Sequence, residues 1–247
     1  MGDVRDENED AYGRFSSQGE SHWLFIVADG MGGHARGREA STTTVEAAAE
    51  VFFGEHSGTV PDRLRRAFHR ANRRVHAASE ADEDAGTRGT TATASALVEG
   101  EAYVAHVGDS RAYRYRPETG CQLTQDHTMV QELKRQGVLS EEEARTHPRR
   151  GHLTRAVGAK PTVEVDLIEA GALHPEDHFL LCTDGLQALP VGGPGARPDR
   201  QPLHRERACP SPNRDRAAHR DGVRGGRHPG RFNAGGAAGL AGGPASH

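Results

Sequence analysis

Hydrophobic patterning in this chain stops near Leu189. The last 58 positions, 190–247, hold 8 Pro, 12 Gly and 10 Arg, but only five residues from Val, Ile, Leu, Met, Phe, Trp and Tyr. Such a segment buries too little apolar surface to offset its chain entropy, so a disordered tail is expected there. Any folded core must come from residues 1–189, a length that suits one domain. That body carries 21 Lys and Arg against 31 Asp and Glu, a net charge of −10. An acidic body disfavours nucleic acid as a partner and suits divalent cations. The arginines of the tail read as a solvated, structureless stretch rather than a nucleic-acid arm.

The longest pure apolar run, Trp23 to Ala28, is strand-length, so no membrane span is expected. The N-terminus is acidic and has no apolar signal core. Three cysteines, an odd number without CxxC spacing, argue against a disulfide framework and against a thiolate zinc site and make a reducing cytoplasm the default.

Within the body, periodicity alternates between strand and helix. Trp23–Ala28 is rich in strand formers and ends abruptly at Asp29-Gly30. Ala40–Phe53 reads as a helix with Ala40, Ala47, Ala48, Val51 and Phe52 on one side. Leu64, Ala67, Phe68, Ala71, Val75 and Ala78 mark a second helix, with Pro61 in its first turn and a solvated, arginine-rich opposite face. Thr90–Val98 and Glu101–Val107 flank Glu99-Gly100 as a hairpin. Tyr113 and Tyr115 alternate with arginines in a further strand. Short helices follow at Met129–Gln136 and Ser140–Arg145, the latter with Ser140 and Glu143 as a capping box. Val163–Ile168 and His178–Cys182 return to strand. Strands on both sides of helical pairs indicate an α+β fold.

Three aspartates stand at the ends of apolar runs, each beside glycine: Asp29-Gly30, Gly108-Asp109 and Asp184-Gly185. One Asp-Gly alone is best read as a turn. Three of them after strands, with Glu9 and Asp10 in the same acidic set, put an oxygen-ligand site for a hard cation on equal terms with the turn reading. Ser110 and Cys182 resemble nucleophiles, but their contexts assign them to structure.

These residues fall in ordered blocks: Gly2-Asp-Val-Arg5 with Asn8-Glu-Asp-Ala11, Val27-Ala-Asp-Gly-Met-Gly-Gly-His34, Gly89-Thr-Thr91, Val107-Gly-Asp-Ser-Arg111, Leu123-Thr-Gln-Asp-His127, Leu153-Thr-Arg-Ala-Val-Gly158 and Leu181-Cys-Thr-Asp-Gly-Leu186. Over residues 2–189 the chain resembles the metal-dependent serine/threonine protein phosphatases of type 2C, the PPM family, in their bacterial form. The resemblance implies two packed antiparallel β-sheets flanked by α-helices, with two Mn²⁺ or Mg²⁺ ions and a third, weaker site. It implies that Asp29 bridges both metals, that the Gly30 carbonyl and Asp184 are ligands, and that Glu9 or Asp10 holds metal-bound water. Asp109 matches the third site and Arg5 the arginine that grips the substrate phosphate. The leaving serine or threonine oxygen needs a proton, which a metal-bound water or His34 could give, and a histidine among glycines also reads as a brace of its loop. The resemblance further implies hydrolysis of phosphoserine and phosphothreonine by a water bridging the metals. A bacterial serine/threonine kinase or its substrates would be the partners of a cytoplasmic monomer. Gln125–Gly158 resembles the family's flap; His127, His147 and His152 lie in it and read as loop and cap residues.

The family pattern is incomplete at both ends. No strand precedes the Gly-x-x-Arg block, and no Asp-Asn pair follows Leu189, where the family places a further ligand of its first metal. The expected organisation is a partial catalytic domain over 1–189 and a Gly/Pro/Arg-rich tail over 190–247. Loss of pattern at 190, in a chain with 29 Arg and 2 Lys, fits a shifted reading frame in a GC-rich gene. The alternative readings are a catalytically impaired, phosphatase-fold binding module and a truncated product without function.

Overall fold

The computed structural model describes residues 8–19, 21–81, 88–117 and 119–187. The tail over 190–247 and Arg5 lie outside the described residues.

The chain runs β1 (Asp10–Ser16), β2 (His22–Met31), α1 (His34–Gly54), α2 (Val60–Glu80), β3 (Gly89–Thr90), β4 (Ala92–Val98) and β5 (Glu101–Val107). It continues through β6 (Arg111–Arg116), β7 (Thr119–Gln122), α3 (Met129–Arg135), α4 (Glu141–Thr146), β8 (Asp166–Ala172), β9 (His178–Cys182) and α5 (Asp184–Gln187). A large antiparallel sheet has the order β1-β2-β4-β5-β8, with β3 paired to the end of β2; a small one has the order β7-β6-β9. β6 and β9 of the small sheet lie against β4 and β2 of the large one, and α1 and α2 cover its other face. Two antiparallel sheets with flanking helices are the expected α+β architecture.

Residue alternation explains the layering. One row across the large sheet, Ile26–Ala94–Ala105, faces α1 and α2, and its small side chains let the helices dock closely. The helices contribute the apolar faces read from the sequence, Ala40, Ala47, Ala48, Val51 and Phe52 from α1 and Leu64, Ala67, Phe68, Ala71 and Val75 from α2, all buried. The next row, Val27–Thr93–His106, points between the sheets and carries the polar Thr93 and His106.

Local signals worked where they were strongest. Glu99 and Gly100 have φ of 51° and 81°, the paired positive values of a tight hairpin turn. Ser140 and Glu143 form the capping box. One strand carried no reading, and two readings need correction. β1 carries no apolar run because it is an edge strand with Tyr12 facing solvent; pairing with β2 defines it. The strand expected over Val163–Ile168 starts at Asp166 and extends to Ala172, because its partner β5 holds His106 opposite Asp166 and Glu101 opposite Ala172. Arg63 leaves the solvated arginine face: it is buried, stacks on the Phe52 ring and donates through Nε and Nη2 to the Phe52 carbonyl near the end of α1.

Candidate metal centre

The strand ends place the acidic residues together. In the β1–β2 ladder Asp10 stands directly opposite Asp29. Asp184 opens α5 one residue after β9, and Asp109 lies in the three-residue connection between β5 and β6. Thr183 Oγ1, beside Asp184, lies 3.3 Å from Asp10 Oδ2 and donates to it, tying the small sheet to β1.

Asp29 is held rigidly. Its N–H donates to Thr91 Oγ1 at 2.9 Å, while its carbonyl accepts from Thr91 N–H and Thr90 Oγ1, both at 2.9 Å. Thr91 Oγ1 also lies 2.7 Å from Ser110 Oγ, so one hydroxyl joins the Asp29 strand to the loop of Asp109. Ser110 is fully buried in this link. Cys182 is buried at the end of β9. Cys121 in β7 is disulfide-bonded, against the expectation from the cysteine count.

Gly30 is a position of close approach. A Cβ there would collide with the Gly37 carbonyl in the first turns of α1 and come within 2.7 Å of the Glu9 carbonyl. Gly30 N–H donates to that Glu9 carbonyl at 3.2 Å, and Ser41 Oγ donates to it at 2.6 Å. The Glu9 carboxylate reaches Gly37, where an added Cβ would meet its Oε2 at 2.6 Å. His34 is the first residue of α1, after Gly33 at φ 86°.

Electrostatics mark the centre as a concentration of negative charge. Burial pushes the Asp29 carboxyl up to about 8, reinforced by the charges of Asp184, Asp10 and Asp109 and by a hydrogen bond with Asp184. Burial likewise raises Asp109 to about 6, with Asp184 and Asp126 adding repulsion and Arg111 opposing it. Carboxyls crowded into one corner repel one another, so the set is short of positive charge. All its donors are oxygens, which is the chemistry of a hard divalent cation. Among the described residues no three of His, Cys, Asp or Glu are arranged as a finished ligand group. The aspartates therefore fit a metal by charge and donor type, and they form an acidic cluster rather than a complete cage.

The family model for protein phosphatase 2C matches residues 4–216. The chain belongs to the protein phosphatase 2C family. A serine/threonine phosphatase, stp, of Listeria welshimeri is 36% identical over 189 residues, covering 75% of this chain and 74% of that protein. The crystal structure of the serine/threonine phosphatase Stp1 of Staphylococcus aureus superposes with a TM-score of 0.69 at 33% identity, covering 76% of this chain and 74% of that one. A structure of the catalytic domain of the serine/threonine protein phosphatase PstP in complex with two manganese ions has a TM-score of 0.63 at 34% identity, with 74% of each chain covered. The 2C fold is thus shared with phosphatases of known structure.

Beside the aspartates lies a second polar group that the motifs did not announce. Arg111, within the Gly-Asp-Ser-Arg block, forks onto Asp126 through Nε at 2.8 Å and Nη2 at 2.6 Å. His127, Arg155 and Asp166 meet next to it and, with Asp126 and Glu132, line a polar cavity of about 160 Å³. His127 carried a signal, its place in the Leu-Thr-Gln-Asp-His block; Asp166 carried none.

Proposed function

We propose that this member of the 2C family is a metal-dependent protein-serine/threonine phosphatase. The observation that carries the reading is the half-buried Asp29 carboxyl, which stands opposite Asp10 at the strand ends, is crowded by Asp184, Asp10 and Asp109 and is pushed up to about 8. Mn²⁺ or Mg²⁺ would be held by Asp29, Asp184 and the Gly30 carbonyl, with Glu9 or Asp10 holding coordinated water and Asp109 serving a third ion. When bound, such ions neutralise a phosphomonoester dianion and activate water for in-line attack at phosphorus.

The chain's own groups divide the remaining work. Thr90 and Thr91 clamp the Asp29 peptide on both sides, so the carboxylate projects from a fixed strand end. Gly30 lets β2 pass close to α1, which holds Glu9 in the same corner. Arg5 would fork onto two phosphate oxygens, a geometry a lysine does not copy. His34 would give the leaving serine or threonine oxygen its proton. The substrates are phosphoproteins, including a serine/threonine kinase or its targets, met by a cytoplasmic monomer. No helix among the described residues is long and apolar enough to cross a membrane.

The test is hydrolysis of a phosphothreonine peptide by the purified chain, with and without millimolar Mn²⁺, beside Asp29→Asn. Mn²⁺-dependent turnover that Asp29→Asn abolishes is the expected result. A folded, soluble chain without turnover would replace this reading with a phosphate-recognising binding module. That the aspartates form no finished ligand group among the described residues is what gives the second reading its footing.

A further inference from the structure

His127 joins parts of the molecule that chain distance keeps apart. Its main-chain N–H donates to the Gly108 carbonyl at 2.7 Å, and the Gly108 N–H donates back to ring Nδ1 at 3.1 Å. Its carbonyl accepts from Thr154 N–H at 2.8 Å. Ring Nε2 lies 3.1 Å from Asp166 Oδ2, and Arg155 Nη1 donates to the other Asp166 oxygen at 2.7 Å. A backbone amide only donates, so Nδ1 is the bare nitrogen and the ring proton sits on Nε2, facing Asp166. Arg155 Nη1, 3.2 Å from Nε2, therefore has its acceptor in Asp166 and not in the ring.

The residue so gripped is a sensitive one. Gly108 has φ +109°, and a Cβ added there would meet Thr91 Cβ and Cγ2 at 2.7 Å. Thr91 thus bounds Gly108 on one side and His127 holds it on the other, immediately before Asp109. On its far side His127 adjoins the neck of the 128–154 segment, closed by the Thr128–Leu153 bridge and the Met129 N–H bond to the His152 carbonyl at 2.9 Å.

We propose that His127 is a positioning residue: it fixes the Asp109 loop through both polar groups of Gly108 and anchors that loop to the neck of the 128–154 segment and to Asp166. Its consequence for metal binding rests on the phosphatase reading above; the brace itself does not. Two substitutions separate its halves. His127→Asn keeps an acceptor near the Nδ1 position and loses the reach to Asp166. His127→Gln keeps a donor near the Nε2 position and leaves the Gly108 amide without its acceptor.

Hydrogen–deuterium exchange and Mn²⁺ binding, followed by the electron paramagnetic resonance signal of free Mn²⁺, read both variants. His127→Gln is expected to speed exchange over residues 107–112 and to weaken Mn²⁺ binding, each by about tenfold, the size expected for one buried bond left unmade. His127→Asn is expected to stay within about twofold of wild type there and to loosen 155–166 instead. Equal exchange over 107–112 in the two variants, or a wild-type pattern in His127→Gln, overturns the proposal. If a variant does not fold, the wild-type chain still decides: a long-range ¹⁵N–¹H spectrum showing His127 protonated at Nδ1 refutes the brace, and a bare Nδ1 supports it. A wild-type chain that binds no Mn²⁺ overturns the metal reading of the site, while the tautomer and the exchange pattern still judge the brace.

Discussion

Acidification is expected to destabilise this fold through His106. The ring is fully buried between the sheets, in the row Val27–Thr93–His106. Its Nε2 donates to the Gln125 carbonyl at 3.1 Å, and Nδ1 lies 2.9 Å from Thr93 Oγ1. Burial, with the neighbouring His127 ring 4.7 Å away, lowers its pKa from 6.5 to about 4, against the opposing pull of Asp126, the Gln125 carbonyl and Asp166. The unfolded chain therefore binds a proton at this residue between pH 6.5 and 4 that the folded chain refuses. The resulting stability is complete above pH 6.5 and is lost as pH falls toward 4. The loss amounts to roughly 2.5 kcal/mol at pH 4.5, taking about 1.4 kcal/mol per unit of separation. The assay is urea unfolding at pH 7.5 and 4.5 for wild type and for His106→Gln, which keeps an N–H for the Gln125 carbonyl. His106→Gln is expected to be less stable at pH 7.5, yet to lose about 2.5 kcal/mol less than wild type on acidification. Comparison of the two chains cancels the other titrating groups. Parallel losses in both would show that His106 is not the proton-refusing group.

Three further outcomes follow from local geometry. Glu99→Asn should raise stability by about 0.5–1 kcal/mol in denaturant unfolding, because φ 51° suits Asn in a hairpin turn and strains Glu. Arg63→Lys should cost roughly 1–2 kcal/mol, since it leaves the buried Phe52 carbonyl with at most one of its two bonds and removes the planar stack on the Phe52 ring; a cost near zero would show that the pairing is incidental. Gly30→Ala should cost about 2 kcal/mol or more and abolish Mn²⁺ binding, because its Cβ would displace β2 from the Gly37 carbonyl; retention of both stability and binding would refute that steric account.

What the sequence disclosed here depended on whether a signal was local. The α2 face of Leu64, Ala67, Phe68, Ala71 and Val75 is written at helical spacing, and the Ser140–Glu143 box spans one turn, so both were legible. The three Asp-Gly positions were legible for a related reason: a carboxylate beside glycine at the end of an apolar run marks a strand end, whatever the partner strand is. β1 was not, because an edge strand with Tyr12 in solvent needs no alternating apolar face, and only its ladder with β2 defines it. Arg63 defeated the amphipathic reading since its charge is satisfied by a carbonyl eleven residues away, on another helix. The same logic hides the second polar group. His127 meets Gly108 at a separation of 19 residues and Asp166 at 39, and no spacing rule links them. Yet the two kinds of information converge on one loop. Asp109 was visible as a candidate ligand from its neighbours in the chain, whereas Thr91 and His127 were visible only as members of their blocks, and their part in fixing Asp109 emerges once β4, β6 and the neck of the 128–154 segment are assembled. A metal centre proposed from motifs alone therefore names its carboxylates without saying which hydroxyl and imidazole hold the Asp29 and Asp109 backbones, and it is such held positions that would let four crowded aspartates act as a site rather than as a set of turns.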